Sequence, residues 1–214
     1  LDASLNGGLP LLPIQFSMYL DEAPMVAGLG SWRSGKTAGG ALSTVRTAAR
    51  NPWRPIYQHD HPFSLVISET KKILRDSTMR ELKRLLPRDL ILREWTHPNL
   101  RLRLVNGHDL IFMPWIGKIQ GESACGVWLD EAHLLSGASG AEAMFTNFML
   151  RATDTRAIGG AKVVVTGLPQ YGWLSERFDN PSSPDVHTYL ASLKDNFYLD
   201  PTVIDLLYAS TTEE

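Results

Sequence analysis

"GLGSWRSGKT", residues 28–37, follows the apolar run "PMVA" (24–27) and leads into "KTAGGALSTVRTAAR" (36–50), a helical stretch that stops before Pro52. Within it, "GSWRSGKT" (30–37) fits the pattern G-x-x-x-x-G-K-[ST] in full. The residue types share one physical purpose. Glycines let backbone N–H groups turn inward around phosphate oxygens, and the next helix presents its positive end. Lys36 reaches the β- and γ-phosphates while the Thr37 hydroxyl ligates Mg²⁺. A nucleoside triphosphate held by Gly30, Ser31, Trp32, Arg33, Ser34, Gly35, Lys36 and Thr37 is therefore the expected ligand. Arg33 reads as a contact to the γ-phosphate, against the alternative of a side chain that only covers the loop. Trp32 either packs or stacks beside the nucleotide.

A second apolar run, "GVWLDEAH" (126–133), ends in Asp130 and Glu131. Asp130 suits a carboxylate that holds Mg²⁺ directly or through water. Glu131 is then placed to orient and polarise the attacking water. The long interval between Lys36 and Asp130 leaves room for an additional strand. With the extra glutamate, it favours the additional-strand, catalytic-glutamate (RecA-like) class of P-loop NTPases over small kinases and GTPases. The string Asp130-Glu131-Ala132-His133 spells a helicase box, but nothing after residue 170 resembles the second domain that those helicases need. His133 reads as a helix-start or loop residue.

The rest of the chain fits an α/β domain with a mostly parallel central sheet flanked by helices. Strands are expected at 24–30, 64–69, 126–132, 161–167 and 186–193, where short apolar runs stop at glycine, acid or hydroxyl residues. "LRLRLVNGHDLIFMPW" (100–115) reads as a hairpin with a type I′ turn at Asn106-Gly107. Further helices are expected over 70–89 and 141–154. The basic residues of 70–89 alternate with acids, so a solvated face is favoured over a DNA-tracking one. At 214 residues with a formal net charge of −2, the chain suits one domain and excludes wholesale coating of nucleic acid. Its lone Cys125 excludes an internal disulfide and reads as a small buried side chain, and no apolar run is long enough to span a bilayer.

Together these segments resemble the N-terminal ATPase domain of phage large terminases, the motors that package DNA into procapsids. "LPIQFSMYL" (12–20) stands where that family carries an adenine-reading glutamine, which makes Gln15 the candidate. Its amide can pair with the N6 and N7 edge. Arg33 matches an arginine common in terminase P-loops. "VISETKKILRDSTMRELKRLLP" (66–87) is similar to the family's second strand and basic helix, and "VVVTGLPQYGWL" (163–174) to its coupling motif, with Thr166 and Gly167 as the coupling residues and Thr166 as the hydroxyl that senses the γ-phosphate. "SLKDNFYLDPTVIDLL" (192–207) resembles the segment closing the domain. Gln120-Gly121 departs from a basic residue common before that glycine, so Arg151 and Arg156 become the candidate intersubunit arginines.

The resemblance implies an adenine-binding segment over 1–24, a P-loop core over 25–195 and the start of a linker over 196–214. It implies ATP and Mg²⁺ as cofactors, and double-stranded DNA, a portal protein and a small terminase subunit as partners. A working ring of identical subunits, monomeric in isolation, would act in the host cytoplasm docked on the procapsid. No acid cluster suited to two-metal DNA cleavage stands outside the Asp130-Glu131 pair, so no nuclease activity is expected. A helicase or repair translocase, and a non-catalytic nucleotide switch, remain as alternatives.

Overall fold

The computed structural model describes residues 10–115, 123–137, 140–169, 172–179, 181 and 183–211. Gln120 and Gly121 lie outside them. The elements run in order as α1 (Pro13–Leu20), β1 (Met25–Gly30), α2 (Lys36–Arg50), β2 (Phe63–Ser68), α3 (Lys71–Ile73), a π turn (Leu74–Thr78), α4 (Met79–Leu85) and β3 (Ile91–Trp95). Then come β4 (Leu100–Leu104), β5 (Asp109–Pro114), β6 (Gly126–Leu129), α5 (Ala141–Met149), β7 (Lys162–Gly167), α6 (Trp173–Phe178), β8 (Val186–Ala191) and α7 (Pro201–Thr211).

The eight strands form one sheet in the order β3-β4-β5-β2-β6-β7-β1-β8. β5, β2, β6, β7, β1 and β8 are parallel, while β4 pairs antiparallel with both β3 and β5. β7 therefore sits between the strand that leads into the 30–37 loop and the strand that leads into Asp130, which is the arrangement expected of the additional-strand class. β1, β2 and β6 are buried along their whole lengths, as continuous apolar runs require when helices cover both faces. Two cores result. Leu42, Leu82, Leu102 and Trp128 pack under α1, α2 and α4, and Leu29, Ile67, Val165 and Phe145 pack on the opposite face under α5 and α6. Glycine sets the closest approaches: a Cβ at Gly28 or Gly39 would run into the thioether of Met18, so α1 lies almost on the backbone of β1 and α2.

Three expectations are corrected. The helix over 70–89 ends at Leu85, before Pro87, and Ile91–Trp95 forms an edge strand beyond it. The helix over 141–154 stops at Met149. The hairpin turn is not type I′, because Gly107 has φ 82° but Asn106 is not left-handed. Gly107 N–H instead closes on Leu104 O over 2.9 Å, a type I turn followed by a left-handed glycine. Asn106 is held by its side chain, which donates to Ala48 O at 2.9 Å and accepts from His108 N–H at 3.1 Å. Among the described residues no helix is long and apolar enough to cross a membrane.

Candidate nucleotide site

The parallel strands deliver their C-terminal ends to one edge of the sheet, where ligands of open α/β folds bind. β1 ends there in Gly30. A Cβ on Gly30 would meet Ser34 Oγ at 2.6 Å, so the loop can close only around glycine. Arg33 and Gly35 take left-handed backbone, at φ 59° and 88°. These turns wrap the loop around the start of α2. The hydroxyls of Ser31 and Ser34 are buried without a hydrogen-bond partner. Buried polar atoms seldom stay unpaired, so the cradle is built for a polar guest. Lys36 is almost fully buried and its Nζ approaches Ser31 O at 3.3 Å. Burial lowers its pKa, against the opposing pull of Glu131 and Asp130.

Asp130 follows β6 and is completely buried. Its Oδ1 lies 3.5 Å from Thr37 Oγ1 and accepts from Thr166 Oγ1 at 2.7 Å, and its Oδ2 accepts from Thr78 Oγ1 at 2.6 Å. Burial raises its pKa to about 6, the Glu131 charge adding to the rise while Thr78, Thr166 and Lys36 oppose it. A cation at this carboxylate would reverse that balance. Among the described residues no group of three or more His, Cys, Asp or Glu side chains could hold a metal. The donor set is one carboxylate and one hydroxyl beside a phosphate cradle, which suits Mg²⁺ because that ion takes one or two carboxylates and completes its shell with water and phosphate oxygens.

Glu131 stands on left-handed backbone, φ 55°, an uncommon conformation for a residue with a Cβ. Burial raises its pKa, with Lys36 opposing. Its Oε2 is buried without a hydrogen bond, 3.3 Å from His133 Nδ1. Thr166, from β7, is fully buried and also accepts from Trp128 Nε1 at 2.9 Å. The chain Trp128–Thr166–Asp130–Thr78 thus crosses from the core to the carboxylate.

The geometry brings Lys36, Thr37, Asp130, Glu131 and Thr166 together. Beside them a cleft of about 490 Å³ is lined by Leu12, Gln15, Arg33, Arg84, Asn196 and Tyr198, among others. Gln15 Oε1 accepts from Leu12 N–H at 2.9 Å, while a Cβ on Gly35 would lie 2.9 Å from its Nε2, so the amide abuts the phosphate loop. Arg33 is exposed at the cleft, and its carbonyl accepts from Asn196 Nδ2 at 2.6 Å. Trp32 is 68% exposed and faces an apolar hollow with Leu193, Val203 and Leu207, its ring 5.9 Å from Lys36 Nζ.

Arg151 and Arg156 are not brought to this edge. Arg151 O accepts from Ala124 N–H just before β6. Arg156 is paired with Asp154 at 2.8 Å and lies over the Tyr57 ring, near the opposite ends of the strands. Cys125 is buried there, its thiol pushed up to about 11, chiefly by burial. Three contributors are not evident from the sequence. Thr78 and Trp128 act through contacts distant along the chain. His133 is legible only as part of the four-residue string.

No protein-family model matches the sequence, and no curated protein is similar to it. Solved structures are similar in fold. The large terminase of a thermophilic bacteriophage in complex with ADP superposes with a TM-score of 0.71 at 18% identity, covering 92% of this chain and 49% of that one. The fold is that of a phage large-terminase ATPase domain. The large terminase of the same thermophilic phage with ATP-gamma-S gives a TM-score of 0.68 at 19% identity, covering 92% of this chain and 49% of that one. The Thermus phage P74-26 large terminase ATPase domain gives 0.54 at 16% identity, covering 88% of this chain and 83% of that one. The chain spans about half the length of the thermophilic-phage terminase. In this chain β7 and its Thr166-Gly167 end lie directly between β1 and β6, whose ends carry the two halves of the site.

Proposed function

We propose that this chain hydrolyses ATP and is the motor domain that drives double-stranded DNA into a viral procapsid. The observation that carries the reading is the approach of Thr37 Oγ1 to Asp130 Oδ1, 3.5 Å, with Lys36 and Glu131 beside them. Two side chains from the start of α2 and two that follow β6 meet where a triphosphate on the loop would end. Lys36 and the loop amides bind the phosphates, and Thr37 and Asp130 would hold Mg²⁺, which when bound neutralises phosphate charge. Glu131 orients the attacking water and takes its proton. Gln15 reads adenine from the adjoining cleft, and Arg33 contacts the γ-phosphate. Thr166 reports the state of Asp130 to β7, so that the sheet senses hydrolysis.

The similarity in fold to terminases solved with ADP and ATP-gamma-S supports the choice of ATP. In this reading a ring of identical subunits works with a portal protein and a small terminase subunit, in the host cytoplasm on the procapsid. An arginine from the neighbouring subunit, Arg151 or Arg156, completes the site there, and this chain does not cut DNA. Steady-state ATPase assays of the wild type, Lys36→Ala and Glu131→Ala test the assignment. Both variants should lose turnover by at least about a hundredfold. Wild-type rates in both would overturn it.

A further inference from the structure

His133 sits on the turn after Glu131 with 5% of its surface exposed, and one ring nitrogen serves two neighbours. Nδ1 accepts the backbone N–H of Leu168 at 3.2 Å and lies 3.3 Å from Glu131 Oε2. The two neighbours make opposite demands. The Leu168 amide needs a lone pair on Nδ1, whereas an ionised Glu131 needs a proton there, and a neutral imidazole nitrogen offers one or the other. The structure holds the first arrangement, since the amide bond is formed and Oε2 has no hydrogen bond.

Leu168 directly follows the Thr166-Gly167 end of β7. That end is pressed against the histidine turn: a Cβ on Gly167 would lie 3.2 Å from His133 N and 3.3 Å from Ala132 N. A displacement of the β7 end therefore changes the Leu168–His133 bond first. Burial, then the Lys36 ammonium, lowers the ring's pKa, so exchange of Nδ1 between its partners proceeds within the neutral ring.

We infer that His133 is a positioning residue that ties the readiness of Glu131 to the position of the β7 end. With Leu168 N–H on Nδ1, the ring proton resides on Nε2, and the Glu131 carboxylate is left unquenched to take a proton from water. When the β7 end withdraws, the proton lost at Nε2 is regained at Nδ1 through solvent, and the ring donates to Glu131 and holds it. The inference rests on the ATPase reading above and adds to it a route from β7 to the general base.

The test compares His133→Leu, which keeps bulk but no polar atom, with His133→Asn, whose amide oxygen can accept from Leu168 while its NH₂ group donates to Glu131. The expected result is a kcat no lower than wild type for the leucine variant, which cannot hold Glu131, and a fall of about tenfold for the asparagine variant, which donates to Glu131 in every state, with affinity for ATP-gamma-S unchanged in both. Ring ¹⁵N shifts of His133, assigned by their loss in His133→Asn, should report the Nε2–H tautomer in the nucleotide-free protein and a different population with ATP-gamma-S than with ADP. If His133→Leu does not fold, these shifts decide the matter. A leucine variant much slower than wild type, an asparagine variant at the wild-type kcat, or the same tautomer in every state, overturns this inference alone. Wild-type protein that neither binds ATP-gamma-S nor turns over ATP overturns the ATPase reading and this inference with it.

Discussion

Thr78 Oγ1 donates to Asp130 Oδ2 over 2.6 Å, and a single π turn brings it there. The helix that begins at Lys71 widens at Leu74–Thr78, where Met79 N–H bonds to Leu74 O, and narrows again into α4. An extra residue in a turn shifts the phase of the helix beyond it, so Thr78 points at the buried carboxylate while Leu82 and Leu85 still reach the core. Thr78→Val keeps the shape and removes the donor. It should lower stability by about 1–3 kcal/mol, because a buried carboxylate loses a hydrogen bond, and Thr78→Ser should recover most of the loss. Urea unfolding of the nucleotide-free protein measures this, and a valine variant as stable as wild type would mean the bond contributes nothing.

Gly40 is the second place where the sign of an effect is informative. Glycine within a helix such as α2 normally costs roughly 0.5–1 kcal/mol relative to alanine, so replacement should stabilise. Here an added Cβ would meet Trp128 Nε1 at 2.5 Å and Thr166 Cγ2 at 2.9 Å. Both neighbours are fully buried and bonded to each other, so neither can withdraw cheaply. Overpacking of this kind costs about 1–3 kcal/mol. Gly40→Ala should therefore destabilise, and it should also slow ATP turnover by displacing Thr166 from Asp130. Thermal melts together with kcat check both; a variant more stable than wild type would contradict the close packing.

The halves of the site that are contiguous in the chain are legible in the sequence, and the bridges between them are not. "GSWRSGKT" and "LDEAH" carry their chemistry in local order, so their residue types suffice. The bond from Thr78 to Asp130 joins positions 52 apart, and that from Trp128 to Thr166 joins positions 38 apart. No periodicity encodes such pairs. β3 escapes because an edge strand paired on one side leaves Leu92, Arg93 and Glu94 all exposed, without the alternation that marks a half-buried strand. The Asn106-Gly107 signal does specify a turn, but the type depends on the Asn106 side chain, whose bonds to Ala48 and His108 hold its own backbone out of the left-handed region.

His108 makes stability depend on pH. The ring is completely buried, with Nδ1 2.8 Å from Asn51 O and Nε2 3.0 Å from Ser64 Oγ. This pairing makes Nδ1 the donor and leaves Nε2 to accept from the serine hydroxyl, which fits the neutral ring. Burial depresses its pKa to about 4 from the usual 6.5. The unfolded chain then binds the extra proton first, so stability is complete above pH 6.5 and falls as the pH drops towards 4. The shift corresponds to roughly 3 kcal/mol. His108→Gln should be less stable than wild type at neutral pH, and the two should converge on acidification. Urea unfolding at several pH values checks this, and parallel pH dependences would remove His108 as the cause.

Gln15 offers a test of base recognition separate from phosphate binding. Adenine presents a donor at N6 and an acceptor at N7, and a side-chain amide can meet both. Gln15 Oε1 already accepts from Leu12 N–H, which uses one lone pair and fixes the amide plane against Gly35. The second lone pair and the NH₂ group remain for the base in the cleft of about 490 Å³. Guanine carries an acceptor where adenine carries the N6 donor, so it gains less from the same amide. Gln15→Leu should weaken ATP binding by about tenfold, as expected for loss of roughly one net hydrogen bond, and leave GTP binding nearly unchanged. It should also cost about 1 kcal/mol of stability, since the amide at the start of α1 loses its cap. Equilibrium titrations with both nucleotides separate the two effects. Equal losses for ATP and GTP would assign Gln15 to the scaffold of the phosphate loop rather than to the base.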